Sequence, residues 1–234
     1  FGTEDLGTIT FAGHGGSSVM GGMDDKTPNA YEEVWDGVTS ADADVIGGYS
    51  GNNLVRYDSP SFAGVTAHAA YQDSGADSAV AGSEKVSTYS DFGITIAPEA
   101  FPDLTIGMAQ GNYSATASLD GEESTMYVSY NFGDDITVAY QTSEIDLGTS
   151  ANTDESEAFG ISYAINDDIS VSYGTHTIDY GSGTTDQEAS GFSASYTMGG
   201  MTIAGMTNTV DNVGGSTDAS NDKEGYEISL SFAF

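Results

Sequence analysis

From about residue 52 to its end the chain alternates apolar and polar residues with a period of two, and helical periodicity is hard to find. The alternation is cleanest at the end. Tyr226, Ile228, Leu230, Phe232 and Phe234 fall on one face, and Glu227, Ser229, Ser231 and Ala233 on the other. One such strand fits a soluble sandwich, apolar face inward, as well as a membrane barrel with that face outward. The pattern predicts strands at 7–12, 52–59, 64–72, 88–97, 103–113, 124–132, 135–144, 157–165, 168–178, 190–198, 201–210 and 225–234, with a remnant at Phe1-Gly2. These lengths lie near the roughly 9–11 residues of a tilted membrane strand.

The connections separate the two arrangements. Tight turns are expected at Met198-Gly-Gly-Met201, Asn166-Asp-Asp168 and Gly133-Asp-Asp135, and longer ones at 58–64 and 97–103. Between them fall pattern-poor stretches at 72–87, 111–124, 144–157, 179–190 and 211–224. Short and long connections therefore alternate, as an up-and-down barrel with a turn rim and a loop rim requires. Tyr130, Phe132, Tyr163, Tyr196 and Met198 stand just before short turns, with Tyr140 and Tyr173 about a strand's depth away. That placement predicts two aromatic girdles around an apolar band. The opposite faces carry Thr125, Tyr127, Ser129 and Asn131, or Asp168, Ser170, Ser172, Gly174 and His176, which suit water better than a packed core. The expected fold is all-β: a transmembrane antiparallel up-and-down barrel, one domain over 1–234, with about twelve strands in this chain.

Composition narrows this further. A hydrophobic fraction of 38% is low for a globular core, but 14 Tyr and 10 Phe at regular spacing argue against disorder. No run of about 18 apolar residues is present, so no transmembrane helix is predicted. The opening Phe1-Gly-Thr-Glu-Asp5 has no signal-peptide character and reads as a mature or truncated chain. The absence of Cys removes disulfide and thiol chemistry. Lys26, Arg56, Lys85 and Lys223 are the only basic residues against 36 Asp and Glu, a net charge of -32. Nucleic-acid binding, which needs clustered cations, is excluded. Such a surface attracts cations, repels anions and suits a salty or divalent-rich setting.

Several segments resemble the general bacterial porins, especially those of α-proteobacteria. They are Phe1-Gly-Thr-Glu-Asp-Leu-Gly-Thr-Ile-Thr10, Arg56-Tyr-Asp-Ser-Pro-Ser-Phe-Ala-Gly64 and the terminal Phe234 on an alternating strand. The resemblance implies a sixteen-stranded outer-membrane barrel whose long loop after the fifth strand folds inward and narrows the pore. The pattern-poor stretch 13–51 occupies that loop's place. On this count the first four strands are missing from the sequence, with a true twelve-strand barrel as the fallback. The resemblance further implies a homotrimer in contact with outer-membrane lipid and lipopolysaccharide. It makes Phe234 the signal read by the outer-membrane assembly machinery, and passive diffusion of small hydrophilic solutes and cations the function. The shortage of basic residues departs from the family and puts its basic pore wall in doubt.

Within 13–51, Asp24, Asp25, Glu32, Glu33, Asp36, Asp42 and Asp44 offer either an acidic ring that focuses cations or merely solvated loop charge. The stretch is long for a rim turn, and Val34, Trp35, Val38, Val45 and Ile46 need a surface to pack on. Arg56 is placed inward by its neighbours Val55 and Tyr57, either setting a transverse field against the loop or pairing with a carboxylate at its base. His14, His68 and His176 lack zinc-ligand spacing. Calcium ligands could come from Asp120, Glu122 and Glu123 or from Asp154, Glu155 and Glu157, although neither run has the spacing of a helix-loop-helix calcium loop. No nucleophile elbow, phosphate loop or metalloprotease motif is present, so no enzyme is predicted. An outer-membrane barrel hydrolase and a structural or adhesive β-rich surface protein are the competing classes.

Overall fold

Alternating sequences of this kind form pleated strands that pair with their neighbours in the chain, and the computed structural model has that form. It describes residues 2–42, 45–46, 50–51, 53–73, 79–80, 84–115, 120–146, 153–181 and 185–233. The short early strands are β1 (Gly2–Thr3), β2 (Gly7–Ala12), β3 (Gly16–Ser17), β4 (Ser50–Gly51), β5 (Leu54–Asp58), β6 (Val65–Gln72) and β7 (Ala79–Val80). Longer strands follow as β8 (Glu84–Ile96), β9 (Leu104–Ala115), β10 (Asp120–Phe132), β11 (Ile136–Asp146) and β12 (Thr153–Asn166). The last four are β13 (Ile169–Asp179), β14 (Gln187–Met198), β15 (Met201–Asp211) and β16 (Lys223–Phe232). Short 3₁₀ turns occupy Met20–Gly22, Val213–Gly215 and Ala219–Asn221.

One sheet contains fourteen of these strands, in the order β1-β2-β5-β6-β8 and then consecutively to β16, with β7 on β8 and β3 paired separately with β4. Its ladders run antiparallel, for example β13 on β14 and β15 on β16. From β8 onward each strand pairs with its neighbours in the chain, the order of an up-and-down meander.

The chain divides into two compact units. Unit 1 comprises Phe1–Asp25, Ile46–Tyr127 and Ser143–Asp154; unit 2 comprises Lys26–Val45, Val128–Thr142 and Glu155–Phe234. In unit 1, Glu123, Thr125 and Tyr127 of β10 are buried while Glu122, Ser124 and Met126 are exposed. Its three large inward tyrosines lie over glycines of adjacent strands: a Cβ at Gly107 would stand 2.1 Å from the Tyr127 ring, at Gly121 2.0 Å from Tyr113, and at Gly111 2.4 Å from the Tyr89 hydroxyl. In unit 2 the buried face holds Ser172, His176, Gln187, Ser193 and Asn208. The opposite face exposes Phe192, Tyr226, Ile228, Leu230 and Phe232, with Ile228 78% exposed. Phe92 of unit 1 is likewise exposed. Apolar outward and polar inward is the arrangement the pattern predicted.

The short turns are built as their residues dictate. Met198 pairs with Met201 across Gly199-Gly200, where Gly199 holds φ +61° in the left-handed region that glycine enters freely. The Asn166 carboxamide oxygen accepts from the N–H groups of Asp168 (2.9 Å) and Ile169 (3.0 Å), an Asx turn. Gly64, at φ +81°, is required twice over, since a side chain there would also stand 2.3 Å from the Ala97 carbonyl oxygen.

At the other rim the strands run further than their hydropathy. Where loops were expected at 111–124, 144–157 and 179–190, β9 continues to Ala115, β10 starts at Asp120, β12 at Thr153 and β14 at Gln187. Beyond an apolar band the outward face no longer needs apolar residues, so the backbone ladder continues after the signal stops.

Candidate functional site

The segment 13–51 is held against the polar faces of the strands mainly by neutral groups. In unit 1 its start forms β3 and the 3₁₀ turn Met20–Gly22. Ser18, Val19 and Met20 are fully buried. Val19 lies on Gly93, where a Cβ would approach its Cγ1 to 2.9 Å. The Met20 N–H donates to Asp91 Oδ2 at 2.7 Å, and the Tyr89 hydroxyl lies 3.2 Å from the same oxygen and 2.5 Å from Glu123 Oε1. Arg56 Nη1 donates to the Ser18 carbonyl at 2.9 Å, while its Nε and Nη2 meet Asp58 Oδ1 at 3.0 Å. Asp58 Oδ1 also lies 2.6 Å from His68 Nδ1, whose Nε2 reaches Thr95 Oγ1 at 3.1 Å. The single arginine is thus hydrogen-bonded to the segment's backbone with its charge matched by Asp58.

In unit 2 the contacts continue along 26–42. Lys26 N–H donates to Gln141 Oε1 (2.8 Å), and Ala30 N–H to Ser172 Oγ (2.9 Å) and Ser193 Oγ (3.2 Å). Asn208 Nδ2 donates to the Val34 carbonyl at 2.6 Å. Gln187 brackets Asp42, accepting its N–H at 3.0 Å and donating to its carbonyl at 2.9 Å. Thr27 and Pro28 cover Gly160, and Gly37 meets Gly225 backbone to backbone. Val38 packs with Ala189, Val210 and Val213, flanked by Val34, Trp35 and Ala41. Burying a side chain of Val38's size is worth about 1.5–3 kcal/mol. The Trp35 ring packs against that of His176 at a tilt of 49°, with 4.4 Å between centroids.

These anchors bring together some of the acidic residues expected to act jointly. The carboxylates of Glu32, Glu33 and Asp36 lie within 4.8 Å of one another, the only such acidic or histidine group among the described residues. Asp36 is pushed up to about 6, first by partial removal from water and then by its hydrogen bond to and repulsion from Glu33. Glu32 is raised by the same desolvation, then by Glu33 and Asp36. Glu227 of β16 adds charge to the group and accepts a hydrogen bond from the Tyr31 hydroxyl. Asp24 and Asp25 are half-buried in unit 1, and Asp42 is exposed with Oδ2 2.6 Å from the Tyr180 hydroxyl. Asp44 and Phe234 lie outside the described residues.

The two expected calcium runs do not converge. Glu122 and Glu123 are consecutive on β10, so one is exposed and the other buried, while Asp120 pairs with Ser114. Glu155 and Glu157 are exposed on β12 and Asp154 is half-buried. Sequence reasoning missed Tyr89, Asp91, Gln141, Gln187, Asn208 and Glu227. Their one local signal is polarity at the inward-facing positions of strands.

Comparison with known proteins places this geometry. The family model for Gram-negative porins matches residues 1–215. No curated protein matches the sequence. Among solved structures, the chain is similar to an anion-selective porin from Comamonas acidovorans: 18% identity, TM-score 0.61, covering 78% of this chain and 60% of that one. A porin refined at 1.8 Å resolution gives 16% identity and TM-score 0.69 over 98% of this chain and 78% of its own. The trimer form of the outer-membrane protein OmpT of Vibrio cholerae gives 12% identity and TM-score 0.61 over 98% and 78%. At these identities the structures speak for the fold, and the chain spans three-fifths to about four-fifths of their lengths. The apolar outward face, the polar inward face and the match over residues 1–215 make this chain a member of the Gram-negative porin family, an antiparallel β-barrel protein of the outer membrane.

Proposed function

We propose that the protein forms a water-filled channel for passive diffusion of ions and small hydrophilic solutes, that residues 13–51 narrow it, and that it prefers cations. The observation carrying this reading is the fastening of an acidic segment to the polar strand faces by backbone and neutral side-chain contacts, with the carboxylates of Glu32, Glu33 and Asp36 gathered within 4.8 Å of one another. The one arginine is engaged by Asp58, and the whole chain carries 36 acidic residues against 4 basic. Carboxylates in a narrow aqueous passage act over about a Debye length, roughly 10 Å at 0.1 M salt. The Comamonas acidovorans porin is anion-selective, so the shared fold does not set the sign. The reversal potential across a planar bilayer under a KCl gradient tests the reading: the cation-selective sign is expected, fading towards molar salt, and the anion-selective sign overturns it.

The oligomer proposed with this function is a homotrimer, by analogy with the V. cholerae protein described in a trimer form. Mass measurement in mild detergent should give three copies, and a monodisperse monomer would refute the assignment. Lipopolysaccharide at the outward face belongs to the same proposal, as does recognition of the Phe234 end by the assembly machinery.

A further inference from the structure

The outward face of unit 2 has a notch in it. Ala194 pairs with Gly205 midway along β14 and β15, beside Ile228 of β16. The adjacent row towards the long-loop rim carries Tyr173, Phe192 and Tyr226, the first two with ring centroids 4.7 Å apart. Two small residues among large ones leave an open groove of about 590 Å³, lined almost wholly by apolar atoms. Gly205 is held small by the backbone, since a Cβ there would stand 2.7 Å from the Glu227 carbonyl oxygen. Further along the same strands the outward face turns acidic. Glu188 and Asp211 are exposed and directly opposite on β14 and β15, and exposed Glu224 stands opposite Thr209. Like charges so paired, with Cβ atoms about 5 Å apart, destabilise a sheet, and a cation between them removes the repulsion.

We propose that the groove seats an acyl chain of a lipid whose headgroup ends in an ammonium, and that Glu188, Asp211 and Glu224 receive that ammonium. The spacing fits one leaflet. From Gly205 to Asp211 a strand rising about 3.4 Å per residue covers roughly 20 Å, which a tilt of about 40° turns into roughly 15 Å of depth. Half of a hydrocarbon core about 30 Å thick is the same distance, so a chain headed at the carboxylates ends at the notch. Of the four basic residues only Lys26 and Lys223 belong to unit 2. Lys26 lies in the inward segment, its N–H on Gln141. Lys223 falls on the inward side of β16, opposite Val210, and donates to the Ser220 carbonyl. A headgroup with a phosphate and no amine brings one more negative charge to three carboxylates. Chain burial supplies the affinity and the ammonium the selectivity. The site involves none of residues 13–51, so its test is separate from that of the conduction proposal.

Native mass spectrometry counts the lipid retained by the protein in mild detergent. Phosphatidylethanolamine and phosphatidylglycerol of matched chains are offered in equal amounts with a chelator present. Phosphatidylethanolamine should be retained over phosphatidylglycerol by roughly threefold to fivefold, the ratio that one or two exposed ion pairs give. The double variant Glu188→Gln with Asp211→Asn should bring that ratio near one. Ala194→Phe, which fills the notch without touching Gly205, should lower retention of both lipids. Heat-modifiable gel mobility verifies that each variant is folded. Equal retention by the wild type, a preference for phosphatidylglycerol, or a ratio unmoved by the double variant overturns the proposal. So does a switch to phosphatidylglycerol when magnesium replaces the chelator, because the carboxylates then hold a divalent ion rather than an ammonium. Should Ala194→Phe split an oligomer into monomers and leave lipid retention intact, the groove is occupied by a second copy of the chain and the lipid assignment falls.

Discussion

Asp36 is exposed yet partly desolvated by its surroundings, and with the acidic neighbours Glu33 and Glu227 this holds its proton up to about 6. Above that value it adds negative charge beside Glu32 and Glu33; below it, the charge is gone. Cation preference should therefore fall as pH drops between about 7 and 5, read as reversal potential at a fixed KCl gradient, and Asp36→Asn should flatten that change. The stability linkage has the opposite sign. The unfolded carboxyl titrates near 3.8, so between there and about 6 the folded chain holds more protons, and stability declines as pH rises through that window. At this scale the sequence was only partly legible. It marked Glu32, Glu33 and Asp36 by composition, but Glu123 was grouped with Glu122 as a calcium ligand. The strand instead turns the two residues to opposite faces.

The long strands were readable almost to the residue where the outward face is apolar, as with β15 and β16, because a lipid-facing band demands alternation. They were unreadable at the long-loop ends, where Glu188 and Asp211 pair outward on β14 and β15 with no hydropathy to mark them. The same band makes a prediction about an element. Ile228 is 78% exposed midway along β16, opposite Gly205 on β15. Ile228→Lys should cost about 2–4 kcal/mol if that position lies near the bilayer midplane. Urea titration of folding into lipid vesicles measures it, and a loss no larger than that of Glu224→Lys, at the outward loop end of the same strand, would contradict a lipid-facing assignment.

The order of strands followed from the sequence because in a meander each long strand pairs with its neighbour in the chain, so no distant partner has to be chosen. The path of 13–51 did not follow. Its anchors join residues more than a hundred positions apart, such as Lys26 with Gln141 and Ala30 with Ser193, and no local pattern encodes such a match. Those anchors have an evolutionary corollary. Gln141, Gln187, Asn208, Ser172 and Ser193 bind the segment through its peptide groups, so attachment does not depend on whether its side chains are acidic, neutral or basic. Mutation can therefore rewrite the electrical character of the segment while the scaffold stays under separate selection, a division of labour through which one architecture can give rise to lineages of opposite ionic preference.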